Sequence, residues 1–342
     1  MRFREKISRE EYKEISKRAL RLFLSVDIVN STALKQEFRH RPGESWIGVA
    51  HGFYTSFPSS LAAEISKAEP PNGNTISTAP EPWKALGDEL IFVAEVLAME
   101  DLPLLLNAFR TSIQTWNREF ENKGILIKGA AWLAGFPVQN SAIVGDDEDH
   151  LDFLGLSMDI GFRLGHHASP RKFVLSVELA YVLSVLESLL VSEMRYEGSE
   201  VLKGVLRDRP YPILSLDCFL NGDLPDFATL EIQAEKAFPP FRPEVKGPEL
   251  MKFLRLWMHS TRGEICPPFC HHNEDARFPL PPDYADLETK ALAILEREFL
   301  DESQNCPDEG DDASLEMAAY EEFFKQISFG TRDTGKPRES PP

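Results

Sequence analysis

Two aspartates 61 positions apart offer the clearest chemistry in this sequence. In LFLSVDIVNST, residues 22–32, a mostly apolar run ends on Asp27. In WKALGDELIFVAEV, Asp88 occupies a Gly-Asp turn between two apolar runs. If those runs are neighbouring strands of one sheet, both carboxylates can converge on one side. With the backbone carbonyl of Ile28 they would form an all-oxygen site suited to Mg²⁺ or Mn²⁺ carrying a triphosphate. A strand-end aspartate is also an ordinary turn or capping residue, so neither acid alone identifies a site. The segment Val29–Thr32, with Asn30, Ser31 and Thr32, joins the first strand to a helix, where backbone N–H groups can cradle phosphates. A third stretch, DFLGLSMDIGFRL, sets Asp152, Asp159 and Arg163 on or next to one helix. Positions 159 and 163 share a helix face, which by itself describes a surface pair worth about 0.3 kcal/mol.

The elements that must position these residues follow from periodicity and turn chemistry. Ser8 and Glu11 fit a capping box, which predicts a helix over 9–19 leading into a strand over 20–27. Residues 32–38 and 44–67 read as helices, the second with Phe53, Phe57, Leu61 and Ile65 on one face. Residues 68–82 are rich in Pro, Asn, Ser and Thr and read as a surface loop. Strands over 83–86 and 89–96 flank Gly87-Asp88 as a hairpin. A helix over 101–121 stopped by Gly124, a strand over 125–133, a loop ending in the acidic run DDEDHLD and a helical stretch over 153–167 come next. A strand at KFVLS, a helix over 177–190 and two short strands, VLKGVL and YPILSLD, close the set. This order predicts an α/β, or α+β, sandwich of helices on a mixed or antiparallel sheet. After Asp217 the pattern weakens into proline-rich sequence. Helices are expected over 249–260 and 284–300, and the polar tail over 331–342 is expected to be disordered. The sequence therefore divides into 1–217 and an extension, 218–342.

Composition narrows the function classes. The chain has 342 residues, 42% of them hydrophobic, and a net charge of −18, which repels nucleic-acid backbones and anionic membranes. No apolar run approaches the roughly 20 residues that span a bilayer, and the charged N-terminus does not read as a signal peptide. Four cysteines in so long a chain fit a reducing compartment, so a cytoplasmic location is expected. CPPFCHH holds Cys266, Cys270, His271 and His272 but lacks a second ligand pair at zinc spacing. His166 and His167 fall at a helix end, where a histidine commonly meets the last carbonyls.

Taken in order, DIVNST, KALGD, IKGAAWLAG, DFLGLSMDIGFRL, KFVLS and VLKGVLRDRPYPIL resemble the class III nucleotidyl cyclase domain over roughly residues 20–217. That family shows D-I-x-G-S/F-T, K-x-x-G-D, R-I-G-I-H-x-G, D-Y-x-G-x-x-V-N-x-A-x-R-L, I-L-V-S and L-K-G in the same order. The resemblance implies a ferredoxin-like catalytic domain. Asp27 and Asp88 match its metal aspartates, binding two Mn²⁺ or Mg²⁺ ions per site, with Ile28 lending a carbonyl. Lys84 and Asp152 match the positions that select the base in purine cyclases, and Arg163 matches the arginine that stabilises the transferring phosphoryl group. Two positions depart from the pattern: Asp159 stands where the family has a ribose-orienting Asn, and Asn30 replaces a glycine.

With the tryptophan-led WKALGDEL, these departures resemble the anti-phage pyrimidine cyclases of Pycsar defence systems. The resemblance implies conversion of UTP to cyclic UMP, with cyclic CMP or cyclic AMP as alternatives and a catalytically silent dimerisation or sensing module as a different class. A smaller base leaves room for bulky residues, and Phe53 and Tyr54 are the candidates; the alternative is that both pack in the core, the commoner place for Phe53. The resemblance further implies a homodimer with shared active sites. Its cyclic nucleotide product would reach a separate effector by diffusion, without a stable complex.

Overall fold

The computed structural model describes residues 6–40, 45–68, 76–144, 151–219, 225–237, 247–269, 271 and 275–300. The chain divides into two compact units, Met1–Leu300 and Asp301–Pro342, and every described residue belongs to the first.

Helix α1 (Arg9–Ser16) begins in the expected capping box, with Ser8 and Glu11 bonded reciprocally. It leads into β1 (Ala19–Ile28), whose alternation decides how the molecule is layered. Leu22, Leu24, Val26 and Ile28 join the larger apolar core, while Phe23, between them, joins a second core on the opposite face. Helices α2 (Ser31–Phe38) and α3 (Trp46–Lys67) follow, then the hairpin β2 (Glu81–Leu86) and β3 (Glu89–Glu95), α4 (Asp101–Phe120) and β4 (Ile127–Phe136). Strand β1 lies between β3 and β4 and is antiparallel to both. The order β2-β3-β1-β4 in a β-α-β-β-α-β chain is the ferredoxin-like arrangement, so the expected α/β fold class is what forms. Phe53, Phe57 and Leu61 of α3 and Leu102, Leu106, Phe109 and Ile113 of α4 supply the apolar stripe that covers the larger core.

A small two-stranded sheet, β5 (Asn140–Val144) with β6 (Leu151–Gly155), precedes α5 (Leu156–Leu164). The helix expected over 153–167 therefore starts at Leu156, and residues 153–155 are extended. Gly155 takes φ +137°, which only glycine adopts freely, and this ends the strand and admits the helix. Helix α5 then lies so close to β4 that a Cβ on Gly161 would stand 2.1 Å from the Trp132 ring.

Strand β7 (Lys172–Leu175) pairs parallel with β4, and α6 (Val177–Val185) and α7 (Leu190–Glu193) replace the single helix expected over 177–190. Strands β8 (Met194–Val201) and β9 (Pro210–Asp217) complete a seven-stranded sheet. The strand expected at VLKGVL lies instead just upstream, over MRYEGSEV. As an edge strand it is largely polar and carries no apolar alternation for the sequence to reveal. Beyond it come α8 (Asp226–Ala237), unexpected in so proline-rich a stretch, α9 (Gly247–Ser260) and α10 (Tyr284–Phe299). Helix α9 packs on α6 through the larger core, and α10 meets α1 through Leu295 in the second core. No described helix is long and apolar enough to cross a membrane. The tail expected to be disordered, 331–342, lies outside the described residues.

Candidate active site

The exit of β1 and the tip of the β2–β3 hairpin are brought together by the sheet register. Asp27 pairs with Glu89 on β3 and with Lys128 on β4, and the Ile28 amide donates to the Asp88 carbonyl at 3.2 Å. Gly87, at φ +73°, makes the turn that presents Asp88. Asp27, Ile28, Asn30, Ser31, Thr32 and Asp88, with Ala33 and Gln36, line one open cleft of about 460 Å³. The two acids, Ile28 and three of the four residues of the expected phosphate loop, Asn30, Ser31 and Thr32, thus meet at a single place. Asn30 sits in the left-handed region, at φ 53° and ψ 35°, where asparagine is among the residues best tolerated. Its turn directs the chain into α2, whose first N–H groups have no intrahelical acceptor.

The Asp27 carboxyl is pushed up to about 6, chiefly by burial and further by the neighbouring Asp88 and Glu89. Lys128, with its Nζ 3.6 Å from Asp27 Oδ2, opposes that shift. Burial likewise raises Glu89, against a hydrogen bond of 2.5 Å that Ser25 Oγ donates to it. An acid row this short of positive charge, beside an open cleft, suits a hard divalent cation. No cluster of three His, Cys, Asp or Glu side chains among the described residues has metal-holding geometry. A cation here would rest on two carboxylates and a main-chain carbonyl.

The remaining candidate residues lie outside this cleft. Lys84 Nζ donates to Asp152 Oδ1 at 2.5 Å, and beside it the Trp83 indole donates to the Leu151 carbonyl at 2.8 Å, which fastens β2 to β6. Arg163 Nη1 donates to Asp159 Oδ1 at 3.1 Å, and its Nε donates to the Lys203 carbonyl at 2.6 Å. Lys84, Asp152, Asp159 and Arg163 are therefore close in pairs, and none of them lines the cleft that holds Asp27 and Asp88.

Two further candidates sit on α3. Phe53 is fully buried, edge-on to Trp116 of α4 and against Phe57 in the larger core. The spacing that put it on one face with Phe57 and Leu61 was the stronger signal. Tyr54, its neighbour, is half-buried and donates its hydroxyl to the Gly87 carbonyl, bracing the turn that presents Asp88. Cys266 lies beside Phe269 and Tyr284, its thiol pushed up to about 12 by burial, and Cys270 and His272 lie outside the described residues. Sequence reasoning passed over Lys128, Ser25 and Glu89. The available signals were a lone cation in the otherwise apolar ILIKGAAWL and a second acid directly after Asp88.

No protein-family model matches the chain, and no curated protein matches it. Solved structures do. The adenylyl cyclase CyaB from P. aeruginosa is 15% identical over 61% of this chain and 97% of its own, with a TM-score of 0.43. The guanylate cyclase domain of RhGC from Catenaria anguillulae, in complex with GTP, is 13% identical over 59% and 97%, with a TM-score of 0.40. An adenylate cyclase from Trypanosoma brucei in its monomeric state is 12% identical over 60% and 93%, with a TM-score of 0.41.

Proposed function

We propose that the chain is a nucleotidyl cyclase acting on UTP, which it converts to 3′,5′-cyclic UMP and pyrophosphate as a signal in anti-phage defence. The observation that carries the reading is the shared cleft of Asp27, Ile28, Asp88 and the Asn30–Thr32 loop. Asp27 and Asp88 would hold two Mn²⁺ or Mg²⁺ ions with the Ile28 carbonyl, and the first turn of α2 would offer N–H groups to the phosphates. Bound there, such ions would lower the pKa of the ribose 3′-hydroxyl and would offset charge on the triphosphate. The 3′-oxygen bonds to the α-phosphorus, its proton passes to solvent water, and the bond from the α-phosphorus to the bridging oxygen breaks to release pyrophosphate. Arg163 offsets negative charge gathering on the phosphoryl group, and Asp159 turns towards the ribose.

A symmetric homodimer supplies Lys84, Asp152, Asp159 and Arg163 of one chain to the Asp27 and Asp88 of its partner, giving two shared sites. Residues 1–217 form the catalytic part and 218–342 the extension. The product diffuses to a separate effector.

A second reading, adenylate cyclase, is favoured by the Lys84–Asp152 pair at the adenine-selecting positions and by the withdrawal of Phe53 into the core. A third, a silent binding module, is favoured by the ion pair that engages Arg163 with Asp159. Incubation of the protein with each of the four nucleoside triphosphates and Mn²⁺, followed by mass analysis of the products, separates them. Cyclic UMP supports the proposal and cyclic CMP moves it to cytosine. Cyclic AMP establishes the second reading, and no product the third.

A further inference from the structure

Beneath the acid pair a cross-strand row runs Glu89–Asp27–Lys128, one residue from each of β3, β1 and β4. Lys128 lies at the end of this row, its side chain 19% exposed. Its ammonium has two partners on different elements. It stands 3.6 Å from Asp27 Oδ2, and it donates to the Gly165 carbonyl at 3.0 Å, at the C-terminal end of α5. Asp27, Glu89, Lys128, Gly165 and His166 line one cavity of about 210 Å³, separate from the cleft of Asp88 and the phosphate loop but sharing Asp27 with it.

The carbonyl end of a helix is electronegative, so the lysine is held by one full and one partial negative charge. Helix α5 carries Asp159 and Arg163, while β1 carries Asp27. A single ammonium thus fastens the acid pair to the helix that bears the arginine of the other half-site.

We infer that Lys128 is a positioning residue that couples Asp27 to α5, so that a divalent cation arriving at Asp27 is felt at the end of the helix carrying Asp159 and Arg163. The inference rests on the proposed cation site at Asp27 and Asp88 and goes beyond it, because neither the fold nor the acid pair requires the two half-sites to communicate. A cation at Asp27 repels the ammonium and weakens its hold on the carboxylate. The remaining partner is Gly165, and the end of α5 then shifts with the lysine. In a dimer with shared sites, α5 serves the opposite site from the Asp27 of its own chain. Cation binding at one site would therefore adjust the arginine of the other.

The test uses the full-length protein, Mg²⁺ alone, calorimetry for affinity and amide hydrogen exchange over residues 159–168. Wild type is expected to bind Mg²⁺ and to change its exchange over that segment on binding. Lys128→Met removes a repelling charge near the cation, so affinity should rise about three- to tenfold, while the exchange response at α5 disappears. Lys128→Arg, which keeps the charge and the donors, should preserve the response and confirms that the effect is not loss of fold. The inference is overturned if Lys128→Met binds Mg²⁺ no more tightly than wild type, if its α5 response persists, or if the wild-type α5 never responds. Failure of the cation site looks different. Wild type would then bind no Mg²⁺, or Asp27→Asn would bind it as well as wild type, and both readings fall together.

Discussion

Two charged regions of this molecule use the same residue types to opposite ends. Where β7, β8 and β9 meet α8, Arg171 is 1% exposed and donates to Asp217 Oδ2 through Nε at 2.8 Å. Its Nη1 is 3.0 Å from Glu235, and Arg195 bridges Asp217 at 3.1 Å and Glu235 at 3.0 Å. Lys172 pairs with Glu197 at 3.2 Å, and Ser215 donates to the same glutamate at 2.8 Å. Every cation there answers an acid, and the cluster binds α8 to the sheet. At the end of β1, Asp27, Asp88 and Glu89 gather beside Lys128, and burial leaves the Asp27 carboxyl pushed up to about 6. Charges that are matched and buried hold structure together. Like charges gathered at an open cleft raise each other's energy, and a cation from outside relieves it.

Substitution at either region should break the contrast in opposite ways. Asp27→Asn removes one member of the crowded acid row, so cyclisation should fall a hundredfold or more (about 3 kcal/mol or above) while the thermal midpoint stays level or rises. An activity assay beside a melting curve reads both, and a large loss of stability would contradict the contrast. Mixing inactive Asp27→Ala with inactive Arg163→Ala should restore activity, because a heterodimer gathers both lesions in one shared site and leaves the other whole. A mixture that stays inactive, although native mass spectrometry shows heterodimers, excludes shared sites.

The buried cluster should respond in the reverse sense. Arg171→Met takes one of two arginine partners from the buried Asp217 and leaves it only Arg195, which costs about 3 kcal/mol of stability. Denaturant unfolding checks the loss, and Mg²⁺ affinity measured on the folded variant should not change.

A smaller effect comes from a third carboxyl that belongs to neither region. Glu178 is buried at the start of α6 and pushed up to about 7 by burial, against hydrogen bonds from its own N–H, Ser176 and Tyr211. Its folded form binds its proton more tightly than the unfolded chain does. Its contribution is therefore favourable at low pH and is lost as pH rises from the unfolded value through about 7. Glu178→Gln should stabilise the protein by about 2 kcal/mol at pH 8 and by little at pH 5. A pH series of urea midpoints would show it, and a pH-independent difference would contradict the assignment.

Much of the candidate site was legible before folding was considered. Asp27 ends an apolar run and Asp88 sits in a Gly-Asp turn, two local patterns that place acids at strand ends whatever the rest of the chain does. The β-α-β-β-α-β order of the first 136 residues was equally readable, because β1, β3 and α4 carry strong apolar patterns and Gly87-Asp88 marks the turn between β2 and β3. The reading missed β5 and β6, which have five residues each, and misplaced β8, an edge strand that shows polar residues to solvent. The fate of Phe53 was open to either reading until α4 supplied Trp116 as its partner.

The sequence by itself determined which residues can do chemistry and the local turn that presents each one. Those are properties of a few adjacent side chains and backbone angles, and they are written in order along the chain. Tertiary structure alone decided that Asp27 would face Glu89 on one side and Lys128 on the other, that Lys128 would reach Gly165, and that Arg171 would be enclosed by acids from β9 and α8. Register between strands is fixed by how two hydrophobic faces pack at once. That packing involves residues more than a hundred positions apart, and no local pattern encodes which of them will meet.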